Sequence, residues 1–217
     1  MNKAFIFDMN GTLIDDMSFH LDVWFDFLNK DLGANLPYEV VKSHLYGKNE
    51  EVIERIFGKG RYTLAEMAEF SIEKERRYQE VYRPHLKLIA GLENLLNEAH
   101  QKSVPMAIGT AGIPFNVHFV VDNLNLSQYF KAVVTADDVT HSKPHPETFL
   151  LAAKALNYAP ENCIVFEDSP KGVETALNAG MQCVVIKTVH DEEEFSDYSN
   201  IIKFVDDYTQ LSWNDLK

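Results

Sequence analysis

The sequence predicts an α/β core built on a doubly wound parallel sheet of the Rossmann type, interrupted by an inserted α-helical cap. Three observations predict it. Short apolar runs recur at Ala4 to Phe7, Met106 to Ile108, Ala132 to Val134, Ile164 to Phe166 and Cys183 to Ile186, each of strand length. Segments of helical length separate the last four, which is the pattern of parallel strands joined by crossover helices. Between the first run and the second lie about ninety residues, far more than one crossover uses.

The elements follow in order. The first run ends in Phe5-Ile6-Phe7-Asp8-Met9-Asn10-Gly11-Thr12, an acid at the end of a strand followed at once by a turn. From Met17 the apolar positions Met17, Leu21, Trp24 and Leu28 keep helical spacing, as do Val52, Ile53, Ile56 and Phe57. Thr63-x-x-Glu66 is a capping box that opens a third helix through Leu64, Met67, Ala68 and Ile72. Residues 15–84 are therefore assigned to the cap, with Arg83-Pro84 as its exit, and residues 1–14 and 85–217 to the core. The Met and aromatic stripes of the cap read as its own packing and not as a cofactor box. His145-Pro146 opens a helix with apolar positions Phe149, Leu150, Ala153 and Leu156. Ser169-Pro170 supplies an N-cap and a first-turn proline to another, with Val173, Ala176 and Leu177 as its apolar face and Gly180 as its stop. The tail from Asp191 reads as solvated surface plus one late strand near Ile201 to Val205.

Composition limits the function classes. The chain has 217 residues, 46% of them hydrophobic, enough for one substantial core with an inserted lobe. Twenty basic against thirty-three acidic residues give a net charge of −13, which repels a phosphate backbone and argues against nucleic-acid or acidic-membrane binding. Cys163 and Cys183 lie within apolar runs and read as buried free thiols. The opening MNKAFIFD contains no secretory or membrane-spanning segment, so a cytoplasmic protein is expected; a monomer is expected as well, although no residue pattern fixes the oligomeric state. An anionic small substrate would need local help from a metal ion, a few lysines or helix N-termini.

Ligands of open parallel sheets collect at the carboxyl edge of the strands. Asp8 follows the first strand, Thr110 the second, Lys143 lies in the loop after the third, and Glu167 with Asp168 follow the fourth. Taken singly, each acid reads equally as an N-cap or a solvated loop residue, and Lys143 as surface charge. Together they form a set of hard oxygen donors suited to Mg²⁺, which uses carboxylates, waters and a substrate phosphate.

These residues resemble a family. Asp8-Met9-Asn10-Gly11-Thr12, Thr110, Lys143-Pro144-His145-Pro146-Glu147 and Glu167-Asp168-Ser169 are similar, in order and spacing, to the four motifs of the haloacid-dehalogenase-like phosphotransferases. The resemblance covers nearly the whole chain, and its cap resembles that of the β-phosphoglucomutase-like branch. It implies attack of Asp8 on phosphorus to give an aspartyl phosphate, with Thr110 and Lys143 holding phosphoryl oxygens. It implies Mg²⁺ held by Asp8, the backbone carbonyl of Asn10 and Asp168, with Glu167 as ligand or support. Gly11, Ala111, His20, Lys48 and Lys74 become candidate substrate-binding positions, His20 and Lys74 because resembling mutases keep a cap histidine and lysine. For both, an ordinary helix-face role stays open.

The departure is Asn10. The family's phosphatases and mutases have an aspartate there, which protonates the leaving oxygen and later takes a proton from the attacking water or hydroxyl; an amide does neither. Asn10 is compatible with a natural departure giving weak or specialised activity, with an engineered substitution, or with loss of catalysis in a phosphate-binding protein. Asn10-Gly11 is also prone to deamidation, which would regenerate an aspartate. Further departures stand where a β-phosphoglucomutase binds its second phosphate: Tyr46 and Glu50 replace a lysine and an arginine, and Gly112 and Ile113 replace a serine and a lysine. Hydrolysis of a small phosphorylated metabolite is thus favoured over sugar-phosphate mutation, with a noncatalytic binding protein as the third reading. A dehalogenase has no use for Asp168 as metal ligand or for the Lys143 motif.

Overall fold

A computed structural model describes residues 3–216. Along the chain lie β1 (Ala4–Phe7), α1 (Met17–Asp26), α2 (Tyr38–His44), α3 (Asn49–Phe57), α4 (Leu64–Tyr82), α5 (Leu92–Gln101), β2 (Met106–Gly109), α6 (Pro114–Asn123), β3 (Ala132–Val134), α7 (Glu147–Leu156), β4 (Cys163–Glu167), α8 (Pro170–Asn178), β5 (Gln182–Ile186) and β6 (Ile201–Val205). They fall into two compact units, one running up to Asp15 and resuming at Lys87, the other Asp16–Leu86.

In the first unit the strands form a six-stranded sheet in the order β3-β2-β1-β4-β5-β6. Every neighbouring pair is parallel; Ile6 of β1 faces Ala107 on one side and Val165 on the other. The winding reverses at β1, so the crevice beside its carboxyl end is the natural ligand site of this topology. Strands β1, β2 and β4 are buried throughout, which is why each reads as an unbroken apolar run. Phe7 and Phe166 stack across β1 and β4 with centroids 4.3 Å apart, and Phe5 meets Phe166 edge-on at 5.4 Å. Helix α7 packs on β1, β2 and β3, and α8 on β4 and β5. Phe149, Ala153 and Leu156 from α7 and Val173 and Ala176 from α8 fill one core with Ile6, Val165 and Val185. Each large side chain buried there contributes about 1.5–3 kcal/mol.

Ser169 caps α8 as expected, its Oγ accepting the Gly172 N–H at 3.1 Å, with Pro170 in the first turn. Both cysteines are free and buried. Two assignments of helix face need correction. Leu150 and Leu177 are 38% and 37% exposed, because each lies at the margin of its helix's apolar stripe. The tail is also more than solvated surface: Phe195, Val205, Tyr208 and Leu216 are buried, and Tyr208 donates its hydroxyl hydrogen to the Thr12 carbonyl at 3.0 Å.

The second unit has its own core of Trp24, Phe27, Leu28, Val41, Val52, Ile53 and Met67. After α1 the backbone continues as a π-helix over Phe27–Asp31, closed by Leu32 N–H to the Phe27 carbonyl at 3.2 Å. The Thr63–Glu66 capping box is present: Thr63 Oγ1 accepts the Glu66 N–H at 3.2 Å, and the Glu66 carboxylate accepts the Thr63 N–H at 2.8 Å. The expected face of α4 is wrong, however. Leu64 is 79% and Ile72 46% exposed, while Met67, Ser71, Lys74, Glu75, Tyr78 and Tyr82 are buried. An apolar stripe cannot be read from that face because it carries ions and hydroxyls that satisfy one another.

Candidate active site

Strand β1 ends at Phe7, so Asp8 is the first residue beyond it, its N–H still bonded to the Phe166 carbonyl at 2.9 Å. Strand β4 ends at Glu167 and delivers Asp168 beside it. The three carboxylates of Asp8, Glu167 and Asp168 are buried, with one oxygen of each within 4.8 Å of the others. Lys143, from the loop between β3 and α7, donates to Asp8 Oδ1 and to Glu167 Oε1, both at 2.7 Å. The other Glu167 oxygen, Oε2, accepts the Asp168 N–H at 2.8 Å, the Ser169 N–H at 2.8 Å and the Ser169 hydroxyl at 3.0 Å.

The electrostatics follow from this arrangement. Burial lifts Asp8 to about 7, with Lys143 opposing the rise and Glu167 adding to it. Burial also lifts Asp168 well above the usual carboxylate range, helped by the charges of Glu167 and Asp8. Glu167 is buried too, but Lys143 and the Ser169 donors outweigh burial and hold it below its ordinary value. Lys143, despite burial, is held above its ordinary value by Asp8 and Glu167. Three buried carboxyl groups against one ammonium leave the cluster short of positive charge, and its donors are hard oxygens. A divalent cation of the Mg²⁺ kind fits that deficit.

The turn after Asp8 is shaped for close approach. Gly11 has φ +72°, and a Cβ built there would lie 2.1 Å from Asp168 Oδ2, so the carboxylate lies directly against the glycine. Thr188 Oγ1 donates to the Gly11 carbonyl at 2.8 Å. Thr110, fully buried at the end of β2, accepts the Gly112 N–H on Oγ1 at 3.0 Å. A Cβ on Gly112 would sit 3.3 Å from Thr110 Oγ1 and 3.8 Å from Asn10 Oδ1, so both side chains face that glycine. Ala111, between Thr110 and Gly112 in sequence, is half-buried.

Of the predicted positions, Asp8, Gly11, Lys143, Glu167 and Asp168 come together, and Asn10 and Thr110 meet around Gly112. His20, Lys48 and Lys74 belong to the Asp16–Leu86 unit. There Lys74 is buried and not on a solvated face: Nζ lies 2.6 Å from His20 Nδ1, donates to Glu75 Oε1 at 2.9 Å and stands 5.1 Å from the Trp24 ring centroid. Burial lowers its pKa against the pull of Glu75. His20 Nε2 points to Asp16 Oδ2 at 3.3 Å and its ring stacks on Tyr78 at 3.8 Å. Lys48 precedes α3, its N–H donating to Glu51 Oε2 at 3.1 Å. From within α3, Arg55 reaches back to the same loop, stacking on Tyr46 with 3.6 Å to the ring centroid and donating to the His44 and Tyr46 carbonyls.

Sequence reasoning missed Gly172, Thr188 and Tyr208. A Cβ on Gly172 would fall 1.7 Å from Glu167 Oε1, so α8 reaches the site only with a glycine there. A glycine inside a helical pattern was the available signal. Thr188 and Tyr208 contact the Gly11-Thr12 turn from far along the chain, and nothing local marks them.

The chain is similar to proteins of one family. A family model described as haloacid dehalogenase-like hydrolase matches residues 2–180. The chain is 29% identical over 220 residues to a validoxylamine A 7'-phosphate phosphatase of Streptomyces hygroscopicus subsp. limoneus, covering 98% of this chain and 97% of the relative. It is 30% identical over 182 residues to a fructose-1-phosphate phosphatase of Escherichia coli K12, covering 84% and 95%. Among solved structures, a β-phosphoglucomutase from Clostridium difficile superposes with a TM-score of 0.84 at 27% identity, covering 99% of this chain and 95% of the other.

Proposed function

Because the chain belongs to the haloacid dehalogenase-like hydrolases, we propose that it hydrolyses a small phosphorylated metabolite by way of a phosphoryl group carried on Asp8, with proton transfer impaired by Asn10. The observation that carries this reading is the buried set in which Lys143 spans Asp8 and Glu167 at 2.7 Å while Asp168 lies against Gly11. Relatives named as phosphatases of phosphorylated carbohydrates and related metabolites support the substrate class.

In the first step an Asp8 carboxylate oxygen forms a bond to phosphorus and the ester P–O bond breaks, the leaving alkoxide taking its proton from solvent water because Asn10 has none to give. In the second, water attacks phosphorus, the P–O bond to Asp8 breaks to restore the carboxylate, and the proton of the attacking water passes to solvent. Lys143 balances charge on Asp8 and is itself held by Glu167. The four hydrogen bonds that occupy both Glu167 oxygens suit a supporting role better than a ligand role. Asp8, Asp168 and the Asn10 backbone carbonyl would hold Mg²⁺, which when bound supplies charge neutralisation at the phosphoryl oxygens. Asn10 keeps its carbonyl and lacks a titrating group, so poor leaving groups suffer first and discharge of the phosphoenzyme becomes slow with activated ones.

A mutase reading draws on the likeness to a β-phosphoglucomutase. Against it, Arg55, the arginine of α3 beside the Tyr46 loop, is engaged by the Tyr46 ring and two carbonyls. The test is Mg²⁺-dependent phosphate release from a panel of phosphate esters by this chain and by Asn10→Asp. The substituted protein is expected to gain about 10²–10⁴-fold in turnover, and the parent to show a burst with acid-labile phosphoenzyme from an acyl phosphate. If neither protein turns over any ester while both bind phosphate, the chain is a binding protein.

A further inference from the structure

The loop between β3 and α7 carries chemistry that phosphoryl transfer does not use. It reads Thr140-His141-Ser142-Lys143-Pro144-His145-Pro146-Glu147, two imidazoles and a carboxylate flanking the lysine of the site. The loop folds back on itself: His145 N–H donates to the Ser142 carbonyl at 2.9 Å. Asn178, at the end of α8, donates to the Pro144 carbonyl at 3.0 Å. Glu147 sits in the first turn of α7, and its Oε2 accepts the Thr140 and His141 N–H groups at 3.1 and 2.9 Å. The carboxylate is therefore fixed in place before any ligand arrives.

Around it the imidazoles gather. His141 Nδ1 lies 3.2 Å and His145 Nδ1 3.9 Å from Glu147 Oε2, and the two rings are 4.5 Å apart between centroids, tilted by 33°; His145 Nδ1 also accepts the Glu147 N–H at 3.3 Å, a weak bond that an ion would replace. One donor atom from each of the three residues lies within 4.8 Å of the others. In a tetrahedral site with bonds of about 2.0 Å, neighbouring donors are separated by about 3.3 Å, so these positions are within a side-chain adjustment of coordination. The histidine side chains are 64% and 49% exposed, which leaves the outward direction open to water as a further ligand.

We propose that His141, His145 and Glu147 form a second metal site, selective for a borderline transition-metal ion such as Zn²⁺ and separate from the all-oxygen cluster at Asp8. Two imidazoles with one carboxylate suit Zn²⁺, Co²⁺, Ni²⁺ or Cu²⁺, whereas Mg²⁺ prefers oxygen donors. The backbone N–H groups on Glu147 play the part of the outer hydrogen bonds that orient metal-binding carboxylates. Positions 141 and 145 bracket Lys143, so an occupied site ties together both flanks of the residue that holds Asp8 and Glu167. Without an ion, the same contacts amount to two solvated imidazoles beside a loop-capping glutamate, and binding measurements separate the two cases.

The test uses the full chain without a histidine tag, in excess Mg²⁺ so that the Asp8 cluster is saturated. Calorimetric titration with Zn²⁺ is expected to give one ion per chain, and Co²⁺ to give visible absorption of the intensity seen with four-coordinate nitrogen and oxygen donors. His145→Asn is expected to weaken Zn²⁺ binding by about tenfold or more, and the His141→Asn/His145→Asn pair to abolish it. Both histidines are largely exposed, so the variants should melt at the parent temperature, which a thermal scan verifies. Failure of the parent to bind Zn²⁺ in the presence of Mg²⁺, or unchanged Zn²⁺ binding by the double variant, overturns the proposal.

Discussion

Gly172 has no room for a side chain, since a Cβ there would meet Glu167 Oε1 at 1.7 Å. Gly172→Ala must therefore displace either α8 or the carboxylate that holds Lys143. Overpacking of this kind costs about 1–3 kcal/mol, so the urea midpoint should fall with an unchanged slope, and Mg²⁺-dependent phosphate release should fall with it. A variant with parental midpoint and activity would mean that Glu167 can give way freely. The chemistry-bearing residues Asp8, Glu167 and Asp168 were legible because each closes an apolar run and topology sends those ends to one edge, and Lys143 because it lies in the loop after the third run, within Lys143-Pro144-His145-Pro146-Glu147. Gly172, Thr188 and Tyr208 were not, because their importance lies in contacts with residues distant in sequence.

Among the elements, α4 departs furthest from its sequence pattern. Its capping box was legible in Thr63 and Glu66, a local exchange of hydrogen bonds. Its buried face was not, because Lys74 and Glu75 are buried against each other and against His20 and Asn49. Lys74→Met leaves the Glu75 carboxylate buried without its ammonium, an arrangement that costs about 3–5 kcal/mol. Adding Glu75→Gln removes the stranded charge and should recover part of that loss in urea titrations. Equal loss in the single and double variants would place the cost in packing and not in charge. The turn over Trp213–Leu216 gives a pH dependence of known sign. Asp215 accepts from the Ser212 N–H and hydroxyl and from Lys203 Nζ, which bring its pKa from 3.8 to about 2. A folded value below the unfolded one means that its contribution is complete above pH ~4 and is lost as pH falls toward about 2. The Asp215 side chain is 26% and that of Lys203 33% exposed, so solvent still screens the pair and the contribution is about 1 kcal/mol or less. Asp215→Asn should lower the melting temperature slightly at pH 7, and the difference from the parent should vanish near pH 2.

At the scale of the whole molecule, the core is discontinuous in sequence: the chain leaves it after Asp15 and returns at Lys87. The two crossing strands of chain are tied together inside the core, Ile89 N–H donating to the Leu13 carbonyl at 3.0 Å. Close-lying ends are what make an inserted unit tolerable, since closing the gap costs little loop entropy whatever lies between. The central strands and the residues of the candidate site, Asp8, Lys143, Glu167 and Asp168, all lie outside Asp16–Leu86. Replacing Asp16–Leu86 by a short Gly/Ser linker is therefore expected to leave a chain that unfolds cooperatively in urea, keeps the far-ultraviolet signature of an α/β protein and binds Mg²⁺ in calorimetry. A replaced chain that is compact yet binds no Mg²⁺ would show that the carboxylate cluster needs the inserted residues for its geometry. One that does not unfold cooperatively would show that the sheet needs them for its stability.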